Sequence, residues 1–373
     1  MTKYIKNIFK SETFPGILLL FATLMALFVA NSSLTAKMYH DILTINFAKL
    51  SLHQWVNDVL MALFFLGIGL EIKKELIIGN LSSFKKAIFP VVAAFGGMIF
   101  PALLYSLITY DTKYSHGFGI PMATDIAFAV GILMLLGKKV PIELKIFLLT
   151  LAVVDDLGAI VVIALFYSKS IVFINLVFAA IILFILFALN KLGIKNIFIY
   201  LFCGIFLWYF IFHSGIHATI SGVLLAFMIP FGGNTKNSPL MKLERLIAPI
   251  SIFVIMPIFA FSNAGVTIDT EVEFNKLSIA IMIGLIVGKP LGIFLFTFIA
   301  QKLNFAQKPT SVSWNQIFAV GILAGIGFTM SIFIASLTFD GANLNEAKLS
   351  ILLGSFIAAI LGILYFKLVV FRK

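Results

Sequence analysis

The sequence predicts an all-α membrane protein with twelve transmembrane helices, and three observations carry that prediction. Of the 373 residues, 61% are hydrophobic and only 12% are charged, whereas soluble domains carry about 25% charged residues. Apolar windows recur along the whole chain, separated by short polar or glycine-rich breaks, and most are near the ~20 residues a helix needs to cross a bilayer. Lysines and arginines also alternate from loop to loop, with twenty on the side of the N-terminus, six on the other side, and Lys289 inside a window. That asymmetry is the positive-inside pattern, and it puts both termini in the cytoplasm. It also accounts for the net charge of +11 without a nucleic-acid partner. The expected surroundings are the lipid bilayer.

The windows fall at 13–31, 55–70, 88–109, 119–137, 146–167, 171–190, 196–212, 216–230, 247–266, 278–300, 316–338 and 349–371. The first follows Lys3, Lys6 and Lys10 like a secretory signal, but the run from Phe14 to Ala30 is 17 residues long. A signal core has ~7–15 residues, so this is read as the first span. The outer loop Asn31 to Gln54, containing ILTINFAKLSLH, alternates in the manner of a periplasmic β-hairpin. A single cysteine, Cys203 in the seventh window, excludes an intrachain disulfide. No stretch is left for a soluble domain, so residues 1–373 are expected to form one integral membrane domain.

Two spans are expected to be broken. In the fourth, Gly117, Gly119 and Pro121 crowd just before Thr124 and Asp125, leaving only Ile126 to Gly137 cleanly apolar. At ~1.5 Å per residue that piece covers well under the ~30 Å hydrocarbon core, so the polar cluster sits at membrane depth. The eleventh carries Gly321, Gly325 and Gly327 near its centre. Interrupted spans at matching places in two halves point to inverted repeats that cross near the midplane. Crossing breaks would set two positive helix ends against each other, and two negative ends likewise. Asp125 is placed to offset the first pair and Lys289 the second. Pro290 directly follows Lys289 and predicts a kink there in the tenth span.

The chemistry sits in the fifth window, IFLLTLAVVDDLGAIVVIALF, which is uncharged except for Asp155 and Asp156 at its centre. Two carboxylates at that depth cost about 5–7 kcal/mol to insert, so an ion or proton path is the default reading. A desolvated carboxylate binds a proton or a small hard cation such as Na+ or Li+, and competition for one site is already a mechanism of exchange. Adjacent helical residues point about 100° apart. One aspartate is thus free to pair with Lys289 while the other faces a cavity, and the spacing leaves the assignment open. His213 and His217 have helical i, i+4 spacing but no third ligand, which argues against a metal centre there. An intramembrane aspartyl protease needs its aspartates on separate elements, and a retinal pump does not fit twelve spans. A sodium-coupled symporter of small anions is the nearer rival, but no basic substrate pocket is apparent.

Seven blocks in order, WVNDVLMALFFLGIGLEIKKEL, PMATDIAFAVGIL, FLLTLAVVDDLGAI, SGIHATISGVLLAFMIP, MPIFAFSNAGV, GLIVGKPLGI and AGIGFTMSIFI, resemble the NhaA family of bacterial Na+/H+ antiporters over nearly the whole chain. That family is itself among the cases from which the inverted-repeat rule is drawn. The resemblance implies an electrogenic, pH-regulated Na+(Li+)/H+ antiporter of the bacterial inner membrane, working by alternating access, without a cofactor and not an enzyme. It implies that Asp155 and Asp156 form the cation and proton site, with Asp156 the more direct ligand and Asp155 exchanging partners with Lys289. Thr124 and Asp125 would sit at the crossing. The pH response would involve Glu71, Lys74, Glu75, Glu244 and His217. Relatives carry arginine where this chain has Lys74, and histidines near Glu244 where it has Arg245 and Ala248. A homodimer formed through the hairpin is also implied.

Overall fold

The computed structural model describes residues 13–168, 171–232, 237–268 and 275–372, and it is almost wholly helical. Lys3, Lys6, Lys10, Lys169, Lys236 and Lys373, counted above for the charge pattern, lie outside the described residues. In order the helices are α1 Phe14–Asn31, α2 Ala36–Thr44, α3 Leu52–Ile77, α4 Phe84–Ile108, α5 Ile126–Leu135, α6 Ile142–Phe166 and α7 Phe173–Lys191. They continue with α8 Ile197–Phe212, α9 Ile220–Met228, α10 Pro239–Asn263, α11 Lys276–Lys302, α12 Trp314–Ala324, α13 Phe328–Thr338 and α14 Gly341–Val370.

Among the described residues nine helical stretches are long and apolar enough to cross a membrane, and the bent pair α12 and α13 makes a tenth. The other two apolar windows hold shorter helices. α8 has 16 residues and α9 only nine, about 24 Å and 14 Å of helix. Many large apolar side chains are exposed, Phe184 and Phe198 at 71% and 81%, which suits lipid and not water.

The outer loop differs from a simple hairpin. Its first half is helix α2, where Tyr39 and Leu43 recur at helical spacing and the Tyr39 hydroxyl donates to the Phe261 carbonyl at 2.6 Å. The β ladder is limited to two antiparallel pairs, β1 Asn46–Phe47 and β2 Leu50–Ser51, with Asn46 opposite Ser51 and Phe47 opposite Leu50. Ala48 and Lys49 between them both have positive φ, the backbone of a tight hairpin turn.

The chain divides into two compact units, one made of the N-terminal part to Thr35, Ser83–Ala159 and Asn263 onward, the other of Ala36–Ser82 and Ile160–Ser262. In the first, α4 and α11 cross with almost nothing between them. A Cβ placed on Gly96 would lie 2.2 Å from the Gly292 carbonyl oxygen, and one on Gly292 would lie 2.1 Å from that of Gly96. Small residues let membrane helices approach this closely, where van der Waals contact replaces a hydrophobic driving force. α4 also holds Pro90 and Pro101. α11 runs unbroken through Pro290, and the irregularity the proline demands is taken up just before it, by a π-helical turn over Gly284–Gly288.

In the second unit α3 packs on α9, whose Gly222 faces the Ala62 carbonyl. Leu66, Leu70, Leu207, Leu225, Ala226 and Leu243 fill its core. The C-terminal end of the short α9 is closed by side chains: Lys73 Nζ donates to the carbonyls of Phe227 and Ile229, both at 2.6 Å, and Asn190 Nδ2 to Met228 at 2.6 Å.

Gly96→Ala is expected to cost about 1–3 kcal/mol through overpacking against backbone, read as a lower thermal midpoint in detergent. Gly204→Ala should cost less, because its new methyl meets only the end of the Leu225 side chain. Equal midpoints for the two variants would contradict this account of the crossing.

Candidate functional site

The site grows from two interruptions of helix in the first unit. From Ser115 to Met122 the chain forms tight 3-10 turns, Ala123 to Asp125 are extended or irregular, and α5 begins at Ile126. The second interruption is Gly325 to Gly327, between α12 and α13, which are bent by 46°. Gly325 is required there, since a Cβ would lie 2.3 Å from the Leu285 carbonyl oxygen. α13 starts at Phe328, which has φ +30 and donates its N–H to Ser355 Oγ at 3.0 Å.

The two breaks meet and satisfy each other. The Asp125 N–H donates to the Ile326 carbonyl at 2.7 Å, and the Ser331 hydroxyl donates to the Ile120 carbonyl at 2.6 Å. Asp125 Oδ1 accepts from the Phe128 N–H at 3.0 Å, capping α5, while Oδ2 accepts from the N–H and hydroxyl of Thr329 in the first turn of α13. One carboxylate therefore caps the positive ends of both half-helices. At the negative ends, Lys289 Nζ donates to the Met122 carbonyl, and the Thr124 hydroxyl lies 3.0 Å from the Ala324 carbonyl. These bonds supply partners inside the protein for backbone groups that a helix break would otherwise leave unsatisfied at membrane depth.

Beside the crossing lies the aspartate pair. Lys289 Nζ is 2.6 Å from Asp155 Oδ2, and the Thr124 hydroxyl reaches the same oxygen at 2.6 Å. The structure thus gives Asp155 as a direct hydrogen-bonded partner of the lysine. Lys289, Thr124 and Asp125 are wholly buried; Asp155 and Asp156 are 1% and 3% exposed. Asp155 Oδ1 is buried with no hydrogen-bond partner, an unusual condition for a carboxylate oxygen. Asp156 is buried one residue further along α6, pointing about 100° away.

The remaining predicted residues lie in the second unit. Lys74 Nζ is 3.0 Å from Glu244 Oε1, Glu75 Oε2 accepts from the Asn80 N–H at 2.8 Å, and Glu71 is exposed on the same helix. His217 Nδ1 lies 3.2 Å from Thr219 Oγ1, while His213 Nδ1 lies 2.9 Å from the Tyr209 carbonyl, so the two histidines serve separate partners. Sequence reasoning missed Thr329, Ser331 and Ser355 around the crossing, and the helix-capping role of Lys73. The signal for Thr329 was available: a small hydroxyl residue two places after a Gly-x-Gly break is where a helix N-terminus is tied down.

Residues 6–366 match the family model described as Na+/H+ antiporter 1. The chain belongs to this family. It is 48% identical to the Na(+)/H(+) antiporter NhaA of Helicobacter pylori (strain G27), over 97% of this chain and 94% of that protein. It is 50% identical to Na(+)/H(+) antiporter NhaA 2 of Aliarcobacter butzleri, over 96% and 95%, and 44% identical to Na(+)/H(+) antiporter NhaA 2 of Helicobacter hepaticus, over 98% and 95%. These relatives are named as transporters and not as enzymes. With its membrane-length helices, the chain is a multi-pass membrane protein of an antiporter family.

Lys289→Met leaves the buried Asp155 carboxylate without its counter-charge, an expected loss of about 3–5 kcal/mol seen as a lower thermal midpoint in detergent. Asp155→Leu added to it should recover most of that loss, and a double variant no more stable than the single one would be the contrary result. Asp125→Ala should cost up to about 2 kcal/mol for each of the two helix ends it uncaps. It should therefore exceed Thr329→Val in the same measurement.

Proposed function

We propose that this chain is an electrogenic Na+(Li+)/H+ antiporter that exports the cation in exchange for protons. The observation that carries the reading is the buried pair of carboxylates at the helix crossing, with Asp155 tied to Lys289 on one oxygen and unpartnered on the other. Hard oxygen donors in a desolvated place bind either a proton or a small hard cation. Na+ or Li+ takes Asp156 as its more direct ligand together with Asp155 Oδ1, and Thr124 and Asp125 hold the surrounding backbone.

The charge count sets the electrical consequence. With both carboxylates ionised, Lys289 protonated and one Na+ bound, the site is neutral. With two protons in place of the cation it carries one positive charge. Exchange of two protons for one cation therefore moves net charge across the membrane, and the membrane potential drives it. Cation and protons never share the site, so alternating access of that one site to the two sides suffices for antiport.

The frame for this activity is twelve spans in inverted repeats, with the two broken elements as the fourth and eleventh, forming a single transporter domain. α8 and α9 complete the count as shorter spans. Both termini lie in the cytoplasm of a bacterium and the protein resides in the inner membrane, as the lysine asymmetry supports. Glu71, Lys74, Glu75, Glu244 and His217 are the groups through which pH regulates activity. The β ladder at Asn46–Ser51, exposed along its first strand, is the contact for a homodimer. No resident cofactor takes part.

The test is an acid-interior gradient in everted vesicles, followed by a fluorescent base. Na+ or Li+ should dissipate the gradient with wild-type protein and fail to do so with Asp156→Asn. Because protons compete with the cation, the Na+ concentration giving half the response should rise as the pH is lowered. A Na+ requirement unaffected by pH, or full activity in Asp156→Asn, would refute exchange at this carboxylate.

A further inference from the structure

The first unit carries an apolar groove of about 490 Å³ on its membrane-facing side. It runs along the final turns of α14, past Leu361, Leu364 and Leu368, between α11 and α12. Its walls are Ile286, Val287 and Pro290 at one end and Phe318 towards the start of α12. Leu361, Leu364, Leu368 and Val287 are each more than 40% exposed. The groove opens to the lipid phase, and its length along α14, about two turns or some 11 Å, is suited to a stretch of acyl chain.

Charge decides which lipid. Lys367 and Arg372 are exposed at the same end of α14, and Lys139 Nζ sits 5.7 Å from the Phe371 ring centroid. The described residues of this stretch, Tyr365 to Arg372, contain no acidic side chain. Trp314, at the first position of α12, packs against Phe298 and Phe294, and Phe294 in turn against Phe318 of the groove. Tryptophan is enriched at the headgroup level, and basic side chains there attract anionic headgroups.

We infer that the groove binds one acyl chain of an anionic phospholipid whose phosphate is held at Lys367, Arg372 and Lys139. The deep end of the chain then rests on Ile286, Val287 and Pro290, the turn of α11 that carries Lys289. Occupancy packs the outside of the π-helical turn over Gly284–Gly288, the least regular backbone near the site. The inference does not depend on which ions the protein exchanges.

The test uses the purified full chain in detergent micelles with brominated phosphatidylglycerol or brominated phosphatidylcholine. The readout is the part of the tryptophan quenching that disappears in Trp314→Phe. Saturable quenching is expected, with a clear preference for phosphatidylglycerol. At about fivefold per charge, Lys367→Gln with Arg372→Gln should weaken phosphatidylglycerol binding about 25-fold and leave phosphatidylcholine unchanged. Val287→Phe, an exposed position that the core tolerates, should weaken both lipids by filling the chain's place. Equal binding of the two lipids, a preference that survives loss of both charges, or unchanged binding in Val287→Phe would each overturn the inference.

Discussion

A helix that ends inside a membrane leaves peptide groups with no water to turn to, and the first unit is organised around that constraint. Two helices end and restart at the same depth, and each break supplies what the other lacks. Asp125 takes N–H groups from both restarting helices, Lys289 takes a carbonyl from one ending helix, and Thr124 lies against the other. Every one of these groups is buried. None could be lost without exposing a polar group to a medium where it costs several kcal/mol.

The same constraint explains why a carboxylate pair can exist beside the crossing. Asp155 shares one oxygen with the lysine and threonine that already serve the broken backbone. Its charge is therefore balanced by a group that the fold needs in any case. Structural capping and the proposed ion chemistry draw on a common set of side chains, so a substitution there is expected to change both stability and transport. Separating the two effects requires measurements of each on the same variant.

Much of this was readable from the sequence because charge in an apolar run is rare and expensive. Asp155, Asp156, Asp125 and Lys289 stand out for that reason alone, and glycine clusters marked the breaks. The choice between Asp155 and Asp156 as partner of Lys289 was not readable, since it depends on how α6 is rotated against α11. Thr329, Ser331 and Ser355 were hidden because a hydroxyl in a membrane helix usually bonds to its own preceding turn, as Thr297 does here with Ile293. Lys73 looked like an ordinary interfacial lysine, and only the short length of α9 shows what it closes. In the loop before α3 the alternation of ILTINFAKLSLH ends in a short ladder over Asn46–Ser51, while the overlapping AKMYHDILT has the helical period that the structure follows up to Thr44.

The contact between Gly96 and Gly292 has a consequence for how the site is positioned. Where side chains separate two helices, the gap can swell or shrink as rotamers change. Backbone against backbone offers no such play, so α4 and α11 behave as a single stiff member, and the ammonium of Lys289 is located by the crossing much as a gauge is set by a hard stop. Sequence change on the outer faces of these helices is then free to adapt the protein to different lipids while the charge at its centre stays at a fixed depth.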